Sequence, residues 1–246
     1  MAKNEQVIFG IHAVLEAVNA GKDIDKVLIK RGDGSDLLKK LQAQLRQMNI
    51  PVQQVPIEKL NRVTGKNHQG VIAYISHISY GDITNLLPSI FEAGEDPLIL
   101  LLDEVSDVRN FGAIARSAEC AGVHAIVIPF SGSAAINADA IKTSAGALHR
   151  IPVCRQRDLI TVARFLRESG LSVFAATEKA EESLFDADMT GPAAIVLGSE
   201  DRGISADLLK NIDHWVSIPM KGTIASLNVS VAAGVMLFEA LRQRGE

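Results

Sequence analysis

The sequence has few of the features that mark secreted, membrane-bound or metal-binding proteins. Only two of its 246 residues are cysteine, Cys120 and Cys154, and they lie far apart. No stretch approaches the roughly 20 consecutive apolar residues of a membrane-spanning helix, and no Cys/His spacing is typical of a zinc site. These absences predict a cytoplasmic protein with reduced, buried thiols, no membrane segment and no metal.

Common nucleotide and hydrolase motifs are missing as well. The chain has no G-x-x-x-x-G-K-[ST] phosphate loop and no G-x-G-x-x-G after an early strand, which argues against the usual mononucleotide and dinucleotide sites. It also lacks the G-x-S-x-G turn that carries the nucleophile of many hydrolases. The six histidines are scattered, and each is better explained as a surface or core residue than as a catalyst.

The composition is that of a globular protein, with 47% hydrophobic and 22% charged residues. The net charge of −4 argues against a nucleic-acid partner, but the charge is unevenly distributed. Residues 1–80 carry 11 Lys and Arg against 7 Asp and Glu, whereas residues 81–246 carry 14 against 22. This asymmetry is a weak indication that residues 1–80 bind a polyanion such as nucleic acid. Random scatter of surface charge explains it about as well.

Hydrophobic periodicity divides the chain into two α/β parts. Residues 1–78 form a small α/β unit whose first helix is predicted over residues 8–19. Residues 79–96 are predicted to be a linker, with Gly81 near its start and Gly94 and Pro97 at its end. Within it, residues 83–93 are expected to form a short helix that is interrupted near Pro88. Residues 97–246 alternate strands with helices, which predicts a parallel sheet with helices on both faces.

Ligands of such sheets bind beyond the carboxyl ends of the strands. Three loops at predicted strand ends are rich in glycine and polar residues: residues 103–112, 198–203 and 221–228. In the first loop, Asn110 is expected to cap the following helix, and Arg116 either makes a surface ion pair or contacts a phosphate. In the second, Gly198 permits close approach of a ligand to the backbone. Glu200 either accepts a hydrogen bond or a proton, or pairs with Arg202.

The third loop joins a strand to the last helix. It ends in Ser226 and Asn228, which are strong helix-capping residues. Small residues over positions 229–234 keep the surface of the following helix thin, so that another backbone can approach closely. Strand, polar loop and thin helix together favour a tight pocket lined by backbone donors and acceptors.

Taken in order, the three loops resemble the three motifs of the SpoU family of RNA ribose 2′-O-methyltransferases, which belongs to the SPOUT class. The matching text is N-x-G-x-I-x-R-x-A from Asn110, L-G-S-E-x-x-G from Leu197, and I-P-M-x-G-x-x-x-S-L-N-V-S from Ile218. One position departs from the family pattern, because Val108 follows Asp107 where proline is usual. The loop thereby loses a fixed φ angle, while its polar residues are intact.

The first 78 residues resemble the substrate-binding domain that many members carry, which is related to the ribosomal protein L30e fold. The combination is most similar to the bacterial subgroup that methylates a guanosine ribose in 23S rRNA. A tRNA ribose 2′-O-methyltransferase and a non-catalytic rRNA-binding protein remain the alternatives. Candidate phosphate contacts in this part are Lys22, Lys26, Lys30, Arg31, Lys39, Lys40, Arg62 and Lys66.

The resemblance implies further properties of the second part. These are a SPOUT domain with a trefoil knot near its C-terminus, S-adenosylmethionine (AdoMet) as methyl donor, and a homodimer that packs through the last helix. The implied catalytic residues are Asn110, Arg116, Glu200, Ser226 and Asn228. The implied cofactor-binding residues are Leu197, Gly198, Ile218, Met220, Gly222 and Leu227.

Overall fold

The computed structural model describes residues 7–32, 35–224 and 226–245. Apart from residues 136–138, which group with the first unit, the chain divides into two compact units between Ser79 and Tyr80. Each unit has its own sheet and its own hydrophobic core. The two are therefore described one after the other.

The strands and helices have the following bounds. The strands are β1 (Val7–Phe9), β2 (Ile24–Lys30), β3 (Val52–Val55), β4 (Val71–Ile75), β5 (Tyr80–Gly81), β6 (Leu98–Leu102), β7 (Ala125–Pro129), β8 (Val153–Gln156), β9 (Ser172–Ala176), β10 (Glu182–Ser183), β11 (Ala193–Leu197) and β12 (His214–Ser217). The helices are α1 (Ile11–Asn19), α2 (Asp36–Gln47), α3 (Ile57–Val63), α4 (Ile83–Glu92), α5 (Val108–Cys120), α6 (Ala138–Thr143), α7 (Leu159–Glu168), α8 (Ala206–Leu209) and α9 (Val229–Gln243).

The first unit is built on a mixed sheet with the strand order β1-β4-β2-β3. β2 pairs parallel with β3, and β4 pairs antiparallel with both β1 and β2. The prediction of a helix from residue 8 is wrong at its start, because Val7–Phe9 is a strand. Gly10, at φ 93°, separates this strand from α1. Three residues are too few to show strand alternation, so this pairing depends on β4 rather than on a local signal.

Alternate residues of β2 face the two sides of this sheet. Val27 and Ile29 belong to a core shared with α1 and α2, whereas Leu28 belongs to a second core shared with Leu60 of α3. Ser35 caps α2 by accepting a hydrogen bond from the backbone N–H of Leu38. The period of two along β2 therefore places helices on both faces of the sheet.

The second unit confirms the predicted parallel sheet. Its strand order is β10-β12-β9-β11-β6-β7-β8-β5, and every neighbouring pair is parallel. The central strands β6 and β11 are buried along their whole length, as continuous apolar runs require. Ile99 and Leu101 share a core with α4, α7 and α8, while α5 packs against α9, and α9 also contacts β11.

The segment predicted as a linker, residues 79–96, belongs to the second unit, to which it contributes the expected helix and also a strand. β5 pairs parallel with β8 at the edge of the sheet. α4 buries Ile83, Leu87 and Ile90 in the second core and continues through Pro88 without interruption. The Gly and Pro signals mark the turns around α4, whereas the apolar spacing within it is that of a packed helix.

The two cysteines differ in their surroundings. Cys154 lies in β8 and is buried, and this burial raises the pKa of its thiol to about 12. Its Sγ atom lies 3.2 Å from the position that a Cβ atom on Gly81 would occupy. Cys120 is exposed at the end of α5, so the prediction of buried thiols is right for Cys154 and wrong for Cys120. None of the described helices is long and apolar enough to cross a membrane.

Candidate active site

The three polar loops predicted from the sequence follow β6, β11 and β12. Because all these strands run parallel, their carboxyl ends lie at the same edge of the sheet. In the sheet, β6 and β11 are neighbours, and β9 separates β11 from β12. The first two loops are therefore adjacent where they leave the sheet.

Asp103, directly after β6, ties the first two loops together. Its backbone N–H donates to the carbonyl oxygen of Leu197 at 2.8 Å. Its buried carboxylate accepts a hydrogen bond from the backbone N–H of Ser205 at 2.7 Å, at the start of α8. A carboxylate that accepts a backbone N–H forms one of the stronger hydrogen bonds in proteins, so this contact fixes the two loops relative to each other.

α5 begins at Val108, two residues before Asn110. Asp107 is the capping residue, and its Oδ1 atom accepts from the backbone N–H groups of Arg109 at 2.9 Å and Asn110 at 2.8 Å. The prediction that Asn110 caps this helix is therefore wrong. Asn110 lies in the first helical turn, half-buried, and its side chain takes part in other contacts.

The second loop folds back on itself. Ser199 and Gly203 exchange two backbone hydrogen bonds of 3.1 and 2.9 Å, and Gly203 has a φ of 68°. A Cβ atom on Gly198 would lie 2.0 to 2.2 Å from backbone atoms of Gly203 and Ile204. Glycine is therefore required at position 198, because the backbone of its own loop occupies the space of a side chain.

Asn228 connects side chains from all three loops. Its Oδ1 atom caps α9 by accepting from the backbone N–H of Ser230 at 2.9 Å. Its Nδ2 atom donates to Oδ1 of Asn110 at 3.1 Å and also to Oε1 of Glu200. Three of the five predicted catalytic residues therefore meet in one hydrogen-bonded cluster, and one of them caps a helix at the same time.

The other two predicted catalytic residues are not part of this cluster. Arg116 is exposed on α5, about 9 Å along the helix axis from Asn110. Ser226 is also exposed, and neither side chain makes a hydrogen bond or ion pair with a described residue. The suggested pair of Glu200 with Arg202 is replaced by a contact of 3.9 Å between Arg202 and Glu104.

The residues predicted to bind the cofactor lie in the loops after β11 and β12. Leu197 is buried at the end of β11, Ile218 and Leu227 are half-buried, and Gly222 is exposed. Apolar side chains are unusually open between β12 and α9, where Met220 is 41% and Ile224 is 74% exposed. A Cβ atom on Gly222 would have no neighbour within 4 Å. The loop thus offers free apolar surface and unhindered backbone, which fit an adenosyl group.

Two residues of this site were missed from the sequence. Asp103 gave no local signal, because its partner Ser205 is 102 positions away. Asp107 could have been found, since an aspartate directly before a periodic apolar segment is a strong capping signal. No cluster of His, Cys, Asp and Glu that could hold a metal occurs within residues 7–32, 35–224 and 226–245.

Comparison with known families accounts for both units. The profile of the SpoU rRNA Methylase family matches residues 97–238, more than half of the chain. The chain belongs to the SpoU rRNA methylase family. A second profile, RNA 2′-O ribose methyltransferase substrate binding, matches residues 7–81.

The SpoU relatives match along nearly the whole chain. The 23S rRNA (guanosine-2′-O-)-methyltransferase RlmB of Xanthomonas campestris is 42% identical over 248 aligned positions, covering 99% of each protein. The enzyme of the same name from Escherichia coli K12 is 36% identical and covers 97% of this chain and 99% of its own.

Solved SpoU structures share the fold. The methyltransferase AviRb from Streptomyces viridochromogenes, in complex with AdoMet, has a TM-score of 0.61 and 26% identity, covering 98% of this chain and 90% of its own. The TrmH/SpoU tRNA modifying enzyme of A. aeolicus has a TM-score of 0.56 and 28% identity, and covers 66% of this chain and 84% of its own.

The one departure from the usual SpoU motif lies at a position where the helix does not require proline. Val108, where proline is usual, is the first residue of α5. Proline suits this position because its missing N–H would have no partner within the helix. In this chain, the carboxylate of Asp107 stabilises the start of the helix by accepting hydrogen bonds from two backbone N–H groups of the first turn.

Proposed function

We propose that this SpoU family member transfers the methyl group of AdoMet to the ribose 2′-oxygen of a guanosine in 23S rRNA. The full-length similarity to two relatives with that activity carries the proposal, because it includes the substrate-binding unit as well as the methyltransferase unit. We also propose a cytoplasmic location and retain the trefoil knot as a prediction. The domain assignments, substrate-binding before Ser79 and catalytic after it, are part of the same proposal.

The predicted residues are compatible with methyl transfer. Bound AdoMet would supply an electrophilic methyl group on its sulfonium, and the residues that would hold it are Leu197, Gly198, Ile218, Met220, Gly222 and Leu227. The protein must align the ribose oxygen with that methyl group and exclude water. The exposed apolar side chains after β12 supply a surface that a bound adenosyl group would cover.

We assign the alignment of the ribose to the hydrogen-bonded cluster. Asn228 engages Oε1 of Glu200, which leaves Oε2 as an acceptor for the ribose 2′-hydroxyl. Arg116, whose guanidinium has no partner among the described residues, would hold a substrate phosphate and stabilise the developing oxyanion. Ser226 would contact the ribose from the third loop.

The decisive measurement is transfer of a labelled methyl group from AdoMet to protein-free 23S rRNA, with tRNA as the competing substrate and the modified nucleotide mapped afterwards. We expect one guanosine of 23S rRNA to be methylated. Methylation of tRNA alone would replace the rRNA assignment with the tRNA alternative. Calorimetry that detects RNA binding but no AdoMet binding would favour the non-catalytic alternative.

Arg116→Ala tests the site itself. We expect turnover to fall by roughly 100-fold or more, as when a transition-state donor is removed, with unchanged thermal unfolding. Arg116→Lys should recover little, because lysine lacks the planar fork of donors. Arg164→Ala, which removes an exposed arginine of α7, is the matched control, and full activity in Arg116→Ala would refute the assignment.

We also propose a homodimer that packs through α9. Val231 and Phe238, seven positions apart on this helix, are 50% and 48% exposed, and residues at this spacing lie on one side of a helix. Phe238→Glu should therefore yield monomers in analytical ultracentrifugation. Phe185→Glu, at a 56% exposed phenylalanine outside this helix, is the control. A monomeric parent protein would exclude the homodimer.

A further inference from the structure

The first unit carries a depression of about 540 Å³ that none of the predicted catalytic or cofactor residues lines. It lies between the end of β2, α3 and the loop of residues 65–70. We call it the amide depression, after the three side-chain amides among its lining residues, Asn61, Asn67 and Gln69. Its volume is that of a small-molecule site. Among its lining residues are Lys30 and Lys66 but no Asp or Glu.

The orientation of the first amide follows from the histidine beside it. The backbone N–H of Gly70 donates to Nδ1 of the buried His68 at 3.0 Å, so Nδ1 carries no proton. The proton of the neutral ring is therefore on Nε2, which lies 2.9 Å from Oδ1 of Asn61. Since Nε2–H donates, the acceptor must be the amide oxygen of Asn61.

Backbone donors fix the other two amides in the same way. Oδ1 of Asn67 accepts from the backbone N–H of Gln69 at 3.3 Å. Oε1 of Gln69 accepts from the backbone N–H of Ile11 at 3.1 Å, at the start of α1. A backbone N–H only donates, so each acceptor is an oxygen and each NH₂ group is left over.

The depression is consequently a surface of donors. The NH₂ groups of Asn61, Asn67 and Gln69 have no partner among the described residues, and the ammonium groups of Lys30 and Lys66 add two positive charges. Such a surface is complementary to a ligand that is anionic and rich in acceptors. A nucleotide within RNA has this chemistry, since its phosphate oxygens and the acceptor edge of its base accept hydrogen bonds.

We propose that the amide depression binds one unpaired nucleotide of the RNA substrate, with the lysines on its phosphates and the amide NH₂ groups on acceptors of the base or ribose. This inference rests on the RNA methyltransferase function proposed above and assigns a substrate contact to the first unit. An unpaired nucleotide is required because the acceptors of a base are accessible only when it is not stacked in a helix.

Isosteric variants test the proposal without breaking the loop. Asn67→Asp and Gln69→Glu keep the oxygen that accepts the backbone N–H, but replace the donating NH₂ group with a second acceptor. Asn19→Asp is the matched control, because the Oδ1 atom of Asn19 also accepts a hydrogen bond, from Gln44 at 2.6 Å. It adds the same charge to the same unit outside the depression.

The measurement is the dissociation constant of the full chain for protein-free 23S rRNA, with AdoMet affinity and thermal unfolding recorded on the same samples. We expect Asn67→Asp and Gln69→Glu each to weaken RNA binding about tenfold, as for loss of a hydrogen bond to a charged or polar acceptor. Asn19→Asp should weaken it less than twofold. AdoMet affinity should be unchanged in all three.

Two lysine variants give an independent readout if a loop variant unfolds. Lys30→Gln and Lys66→Gln should each lower the slope of log K against log salt by roughly 0.7 to 0.9, one phosphate contact each. Isosteric variants that bind RNA as tightly as Asn19→Asp, or lysine variants with unchanged slopes, would overturn the inference while methylation by the parent still stands. A parent that neither binds nor methylates 23S rRNA would overturn the proposed function and this inference together.

Discussion

Two loops at the same edge of the parallel sheet are built in opposite ways. The loop of residues 198–203, which we call the closed loop, is joined across its ends by two backbone hydrogen bonds and has no space at Gly198 for a side chain. The loop of residues 218–228, the open loop, contains no backbone–backbone hydrogen bond among its described residues before Asn228. It leaves Met220 and Ile224 exposed.

The two loops differ in what they contribute to the candidate active site: one positions a catalytic candidate, and the other presents apolar surface. The closed loop holds Glu200 at a position fixed by its own backbone and by the tie between Asp103 and Ser205. The open loop offers exposed apolar side chains, which the proposed adenosyl group would cover. Asn228, which ends the open loop and donates to Glu200, is the point at which the two loops are joined.

The largest effect that would test this contrast comes from a pair of glycines. Gly198→Ala places a Cβ atom 2.0 Å from the backbone of Gly203, so we expect the free energy of unfolding to fall by roughly 3 kcal/mol, the upper end for overpacking. Gly222→Ala meets nothing within 4 Å and should be neutral within about 0.5 kcal/mol. Urea denaturation of both variants provides the measurement, and equal effects would remove the distinction between the loops.

A smaller effect is expected from the tie beneath the closed loop. Asp103→Ala leaves the backbone N–H of Ser205 without its acceptor, which should lower the free energy of unfolding by about 2 kcal/mol. Asp201→Ala removes an exposed carboxylate of the closed loop itself and should change it by less than about 0.5 kcal/mol. If the two variants unfold at the same urea concentration, the tie does not stabilise the loop.

The smallest effect concerns α9, the helix that directly follows the open loop. Hydrogen bonds from Arg242 and Gln243 lower the pKa of Glu239 to about 2, and Gln243 also donates to the carbonyl oxygen of Ala187 at 2.9 Å. A pKa lowered by folding stabilises the protein above the ordinary pKa of glutamate, near 4.3, and this contribution is lost as the pH falls towards 2.

As the pH is lowered from 5.5 to 2.5, the melting temperature of Glu239→Gln should therefore fall less steeply than that of the parent. Glu92→Gln is the control, because the exposed carboxylate of Glu92 bonds to no described residue. The parent should lose a few degrees more than Glu239→Gln over this range, so that the two melting temperatures converge at the acid end. Parallel curves for the parent and Glu239→Gln would show that this carboxylate does not contribute.

The sequence was informative where local pattern alone determines structure. β6 and β11 each consist of five consecutive apolar residues, a pattern that requires burial on both faces of a sheet. The strands β1, β5 and β10 have two or three residues each and carry no such pattern. They exist only because a neighbouring strand offers hydrogen bonds, which is information from the tertiary structure.

The same division holds for the candidate site. The motifs located the three loops and predicted Asn110, Glu200 and Asn228, but no local feature indicated that the amide of Asn228 joins the other two. The sequence also gave no sign that Gly203 and Ile204 fold back onto Gly198 and leave no space for a side chain there. Residue type pointed to these side chains, but the tertiary structure determines which of them meet.

The rate at which Cys154 is alkylated would report how often β5, the first strand of the second unit, separates from β8. The Sγ atom of Cys154 packs against Gly81, with which Cys154 pairs in the sheet. Gly81 is the second residue of the second unit. Burial raises the pKa of the Cys154 thiol to about 12 and so slows its alkylation, whereas Cys120 is exposed and should react first. Delayed modification of Cys154 would therefore time the detachment of the first strand of the second unit, with no label added to the protein.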